Sequence, residues 1–166
     1  MLNHSAVIQE NNGDRNLALS TIALVLFTSI HHIYGGALYN TSWRIIMPLF
    51  FFLPILALTL YLQYQSIRKS STLLLAAFTV LAVMWIVGVG FYEGGYNHLL
   101  KNALYFGGAS EEVITKMFPP EFGGTKLYEK PNDFLFESSG IATTLFSFVM
   151  IRYLVPFVKK QWERIN

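Results

Sequence analysis

Two adjacent histidines, His31 and His32, sit inside an apolar stretch, Leu17 to Tyr39, that is long enough to cross a bilayer. Polar side chains at that depth cost free energy unless a cavity or a partner receives them. An imidazole can bind a metal, shuttle a proton or orient a neighbour, so the pair marks a place where chemistry could be done. The other polar residues that stand out from this apolar chain are Glu93, Asn97, His98, Asp133 and Glu137. By the spans described below, all of them fall near the same side of one membrane.

The spacing limits how these residues can combine. Adjacent residues on a helix point about 100° apart. His31 and His32 are therefore expected to face different partners, one as a ligand and the other hydrogen-bonded to a neighbour. Gly35 and Gly36 follow one turn later and let another helix or a flat ligand approach the same faces. Glu93 and Asn97 are four apart and share a face if the helix survives Gly94-Gly95; if it breaks there, His98 can fold back over the bundle mouth. Gly90 and Gly94 have the GxxxG spacing of close helix contact. Asp133 and Glu137 are again four apart, at the start of a further apolar run, where Asp133 also suits a helix cap.

Histidines and carboxylates projecting inward from several helices are how helical bundles build metal sites. Imidazole with carboxylate and no sulfur suits zinc, non-haem iron, manganese or copper, and the chain has no cysteine. The candidate metal ligands are His31, His32, Glu93, His98 and Glu137. Glu93 and Glu137 are also the candidate catalytic acid–base groups. Tyr34, Asn97 and Asp133 are the residues expected to contact a cofactor from around them. Haem ranks behind a bare metal, with His31 or His32 and His98 as its axial pair.

Two other classes of function use the same residues. In one, a metal-free enzyme or binder acts on a lipid, a quinone or another small lipophilic substrate. In the other, a non-catalytic subunit or assembly factor turns its polar residues outward to satisfy a partner membrane subunit. The net charge of +2 is small and dispersed, which excludes a nucleic-acid surface.

The elements that must position these residues follow from composition. Only 13% of the 166 residues are charged, about half of what a soluble domain carries. The pattern predicts an all-α integral membrane protein with four transmembrane helices, about 17–39, 42–64, 72–92 and 134–158. Residues 1–16 form a polar N-terminal segment in which Asn11-Asn12-Gly13-Asp14 reads as a turn, and 17–166 form one transmembrane domain. The first apolar run is longer than a signal-peptide core, so it reads as a retained helix. Pro48 and Pro54 are expected to bend the second span.

The loop from Gly94 to Asn132 is too long for a bare connection and reads as a partly helical extracytoplasmic cap. Tyr96 to Phe106 is expected as a short helix. A second helix starts at Ser110, with Glu111 and Glu112 in its first turn, and Pro119-Pro120 ends it. Gly107-Gly108 and Gly123-Gly124 act as hinges. One difficulty attends the site. At 1.5 Å per residue His31 stands roughly 21 Å above Leu17, whereas Glu93 stands roughly 31 Å above Thr72.

Arg15, Arg68, Lys69, Lys159, Lys160 and Arg164 flank the spans on one side, which the positive-inside rule makes cytoplasmic, together with both termini. A single cysteine introduced at Thr125 is therefore expected to react with an impermeant reagent on intact cells. Labelling at a cysteine placed at Ser70 instead would invert the topology.

Overall fold

The computed structural model describes residues 4–119 and 130–166, with side chains described from residue 12 onward. Pro120, the Gly123-Gly124 hinge and Thr125 lie outside the described residues. Every regular element among them is helical: α1 (His4–Leu38), α2 (Ser42–Lys69), α3 (Thr72–Phe106), the short α4 (Glu111–Met117) and α5 (Phe134–Ile165). Four helices, α1 from Asn12, α2, α3 and α5, are long and apolar enough to cross a membrane.

The bundle is organised around α5, which packs along both α1 and α3, while α2 packs on the first half of α3 and the end of α1. The inward stripe of α5 runs Phe136, Glu137, Gly140, Thr143, Thr144, Ser147, Met150, Leu154, Phe157 and Gln161. That is the three-and-four alternation of an α-helix with one buried face. On α1 the corresponding stripe is Leu17, Thr21, Leu24, Val25, Thr28, His31 and His32. The site histidines thus extend a stripe that is otherwise core. Leu24, Leu56, Phe78, Trp85, Met150 and Phe157 close the apolar middle of the bundle.

Two segments depart from α geometry. Pro48–Phe52 in α2 and Trp85–Leu100 in α3 are π-helical. The i→i+5 pairing of a π-helix brings residues four and five apart onto one face. In α3 the buried positions follow that wider spacing: Trp85, Val89 and Gly90, Glu93 and Gly94, His98. In an ideal α-helix Glu93 and His98 would diverge by about 140°.

The cause is a glycine-rich seam. Thr144 donates its hydroxyl to the Gly90 carbonyl at 2.9 Å, and Thr143 approaches the Val89 carbonyl at 3.4 Å. Side chains entering the backbone ladder displace its own hydrogen bonds. They get close enough because Gly90 and Gly94 lack side chains: a Cβ on Gly90 would overlap Ser147, and one on Gly94 would overlap Thr143 and Thr144.

Three expectations are corrected here. Asn11 to Asp14 is no turn, since α1 runs through it, and Asp14 bonds Lys160 while its carbonyl accepts from Gln63 at 2.9 Å. The helix does not break at Gly94-Gly95, so Tyr96–Phe106 is the continuation of α3 and the outer connection begins at Gly107. The depth offset also disappears. Asp14, not Leu17, is level with the far ends of α2 and α5, and a π-helix climbs less per residue than an α-helix. α4 starts as expected, with Ser110 Oγ accepting from the Val113 N–H at 3.4 Å.

The seam makes a paired prediction. Gly94→Ala should overpack α3 against α5 and lower stability in detergent by about 1–3 kcal/mol. Gly88→Ala, where a Cβ meets nothing within 4 Å, should leave thermal unfolding unchanged or raise its midpoint. Equal effects at the two sites would refute the close approach.

Candidate metal centre

The turn between α1 and α2 brings the first unexpected residue to the site. Asn40 takes φ +53, a left-handed conformation that asparagine tolerates. The Tyr39 and Thr41 N–H groups bond back to the Gly35 and Gly36 carbonyls, each at 2.9 Å. The chain reverses within three residues, and Arg44 is fully buried against the end of α1.

At the centre stands Glu93, 8% exposed. Its Oε2 accepts from Asn97 Nδ2 at 2.9 Å, across one turn of the same helix. Its Oε1 faces His31 Nε2 and His98 Nε2, both at 3.6 Å, His32 Nε2 at 3.9 Å and Arg44 Nη2 at 4.0 Å. Both adjacent histidines therefore look toward one oxygen, although 100° separates them on α1, because the carboxylate stands between their two faces. His32 is packed edge-on against Phe52, with ring centroids 5.0 Å apart.

The far edges of two rings are tied down, and this decides which nitrogen carries the proton. The Ser139 hydroxyl has one proton and donates it to the Phe136 carbonyl at 2.9 Å. It can then only accept from His31 Nδ1, at 2.8 Å. His98 Nδ1 donates to Glu137 Oε2 at 2.8 Å. Glu137 is further engaged by Lys101 Nζ at 3.1 Å and Asn102 Nδ2 at 2.6 Å. With both protons on Nδ1, His31 Nε2 and His98 Nε2 each present a lone pair toward Glu93 Oε1. None of these three atoms has a hydrogen-bond partner among the described residues.

The rings themselves are held by packing. Phe136 stacks on His31 with centroids 4.5 Å apart and planes 16° off parallel, and it reaches that place over Gly35. The His98 ring lies over Gly140, where any Cβ would overlap it. His31 and His98 meet edge to face with centroids 4.8 Å apart. No slab-shaped gap separates them, so a porphyrin does not fit between this axial pair.

His31, Glu93 and His98 together form a buried group whose ligand atoms lie within 4.8 Å of one another and could hold a metal ion. Ligands 2.0–2.1 Å from a tetrahedral ion stand about 3.3 Å apart, so the two 3.6 Å separations need little closure. Glu137 is drawn to the same end of the bundle, but its oxygens face His98 Nδ1, Lys101 and Asn102. Tyr34 bonds Asp133 at 3.2 Å, and Asp133 also caps α5 through the Phe136 N–H at 2.7 Å. These two are half-buried, and their hydrogen bonds among the described residues do not include Glu93. Asn102, Asp133, Glu137 and Ser138 line a surface pocket of about 360 Å³.

Sequence reasoning missed Arg44, Lys101, Asn102 and Ser139. Arg44 carried a usable signal, being a charge two residues inside an apolar span. Lys101 and Asn102 were hidden by ending the third span at Tyr92.

The tautomers are measurable. ¹⁵N NMR of the protein in detergent should show neutral His31 and His98 both protonated at Nδ1; an Nε2–H form at either would contradict the anchoring by Ser139 and Glu137. Comparison of the chain with family models, with curated proteins and with solved structures gives no match.

Proposed function

We propose that this chain is a multi-pass membrane protein that holds a divalent transition metal on His31, Glu93 and His98, near the extracytoplasmic end of its bundle, and acts there as a small metalloenzyme. One observation carries the reading. Two imidazole nitrogens, whose ring protons are fixed on the opposite edges, face one buried carboxylate oxygen at distances too long for hydrogen bonds. Acceptors arranged so repel unless a cation sits among them.

Two histidines and one carboxylate form the donor set of non-haem iron(II) sites and of catalytic zinc sites, both of which keep positions open. A metal so held supplies Lewis acidity toward a bound ligand. The protein's own groups do the rest. Ser139 and Glu137 fix the imidazole tautomers, as carboxylates and carbonyls do around metal-bound histidines. Glu137 acts in this reading through His98 as a positioning residue, with Lys101 and Asn102 holding it. Asn97 turns the Glu93 carboxylate so that Oε1 faces the histidines. His32 is the available fourth nitrogen.

A metal-free acid–base site for a lipophilic substrate is the second reading, favoured by the 4.0 Å approach of Arg44 to Glu93. A partner-satisfying subunit fits less well. His31, His32, Glu93, His98 and Glu137 are all buried within the bundle, where such a role needs them outside.

Protein purified mildly in detergent should contain one transition-metal ion per chain by elemental analysis. His31→Ala should abolish that ratio. Glu137→Ala should weaken the metal roughly 10- to 100-fold, as loss of a supporting hydrogen bond does. Occupancy should fall below about pH 6, because protons compete for imidazole and the cationic ring cannot ligate. A protein free of metal that still needs His31 for function would move the assignment to metal-free acid–base chemistry.

A further inference from the structure

The three histidines that face Glu93 Oε1 are not equivalent. His31 and His98 each have a partner at Nδ1, Ser139 Oγ and Glu137 Oε2, both at 2.8 Å, which leaves a lone pair at Nε2. His32 has no such anchor. Its Nδ1 is buried and has no hydrogen-bond partner among the described residues, while its Nε2 stands 3.9 Å from Glu93 Oε1. The ring is packed among aromatic rings of α2. Phe52, at the end of the π-helical turn Pro48–Phe52, lies 5.0 Å away between centroids, and Trp43 lies 6.4 Å away.

A neutral imidazole carries one N–H. On His32 Nδ1 that proton would be buried without an acceptor, and the Nε2 lone pair would be turned on a carboxylate oxygen. Both cost free energy. On Nε2 the same proton points toward the carboxylate, and only a bare lone pair stays unpaired. The surroundings of His32 thus favour the Nε2–H tautomer, opposite to that of His31 and His98. His32 also lies outside the group whose ligand atoms stand within 4.8 Å of one another. To ligate through Nε2 it would have to move its proton to an edge where nothing accepts it, whereas metal-bound histidines have a partner there. A ligand entering from the α2 side meets the N–H edge instead.

We infer that His32 does not join the metal but donates its Nε2–H to the exogenous ligand taken up by the ion on His31, Glu93 and His98. The inference rests on the metal-centre reading and adds the chemical class of what that centre binds. An oxygen or nitrogen donor that keeps a lone pair after coordination, such as a carboxylate, hydroxide or azide, accepts the bond and is held at two points. Imidazole spends its one lone pair on the metal and gains nothing from His32.

The test uses the full chain in detergent, loaded with cobalt(II) and followed by its visible absorption. Wild-type protein should bind azide saturably. His32→Leu should keep one cobalt per chain and bind azide at least roughly tenfold more weakly, the loss expected for one hydrogen bond to a charged ligand. Its affinity for imidazole should stay within about twofold of wild type, whereas a purely structural role for His32 would move both ligands together. Loss of cobalt from folded His32→Leu would make His32 a ligand and overturn the inference. A loaded wild type indifferent to azide, an azide affinity unchanged in the variant, or equal losses for azide and imidazole would also overturn it. If His32→Leu does not fold, ¹⁵N NMR of metal-free wild-type protein decides. An Nε2–H His32 supports the donor, and an Nδ1–H His32 overturns it. Wild-type protein that takes up no cobalt overturns the metal centre itself, an outcome distinct from any result at full loading.

Discussion

Glu93 Oε1 is a carboxylate oxygen with no hydrogen bond among the described residues, buried where a charge is expensive, and the surrounding structure answers to that constraint. Among the described residues the oxygen forms ion-pair contacts with three imidazole nitrogens and one guanidinium, at 3.6 to 4.0 Å. The two nearest nitrogens are the ones whose rings are anchored at the opposite edge. Ser139 and Glu137 supply the anchors, and both belong to α5. The helix that supplies none of the charged partners of the oxygen therefore controls how two of the rings around it are oriented.

That control depends on approach distance. α5 meets α3 along Gly90, Gly94 and Gly140, where any side chain would collide with Ser147, with Thr143 and Thr144, or with His98. The Thr144 hydroxyl bonds the Gly90 carbonyl where α3 takes its wider coil, while Thr143 donates to the Gly140 carbonyl of its own helix and only approaches Val89. The wider coil is what puts Glu93 and His98 on one face. Small residues, helix form and site geometry are thus one causal chain, in which no step is a property of α3 alone.

This explains what could be read from the sequence. The four apolar helices were legible because composition and length suffice for them, and so was the gathering of His31, His98 and Glu93 toward one end. Asp133 as a cap and Asn97 beneath Glu93 followed from α-helical spacing, which holds or nearly holds at those places. Whether the helix survives Gly94-Gly95 was open, because a glycine pair can end a helix; here the missing side chains admit a neighbouring helix, and the helix continues. The meeting of His31 and His32 at one oxygen was illegible for a related reason. Helical angles say where side chains start, and a third residue placed between them decides where they meet. Arg44 was missed because nothing local shows that a three-residue turn will bury it.

The division of labour between α1, α3 and α5 also orders the events of biosynthesis. A membrane protein acquires its helices in sequence as the chain emerges. When α3 has been made, His31, Glu93 and His98 all exist, yet His31 lacks Ser139 and Phe136, and His98 lacks Glu137 and the Gly140 slot. α3 also lacks the Thr144 hydroxyl that bonds the Gly90 carbonyl within its π-helical segment. The three-helix chain therefore holds these side chains without their anchors, and the arrangement around Glu93 is complete only once the last helix docks. A chain truncated or stalled before α5 carries His31, Glu93 and His98 but lacks the groups that orient them.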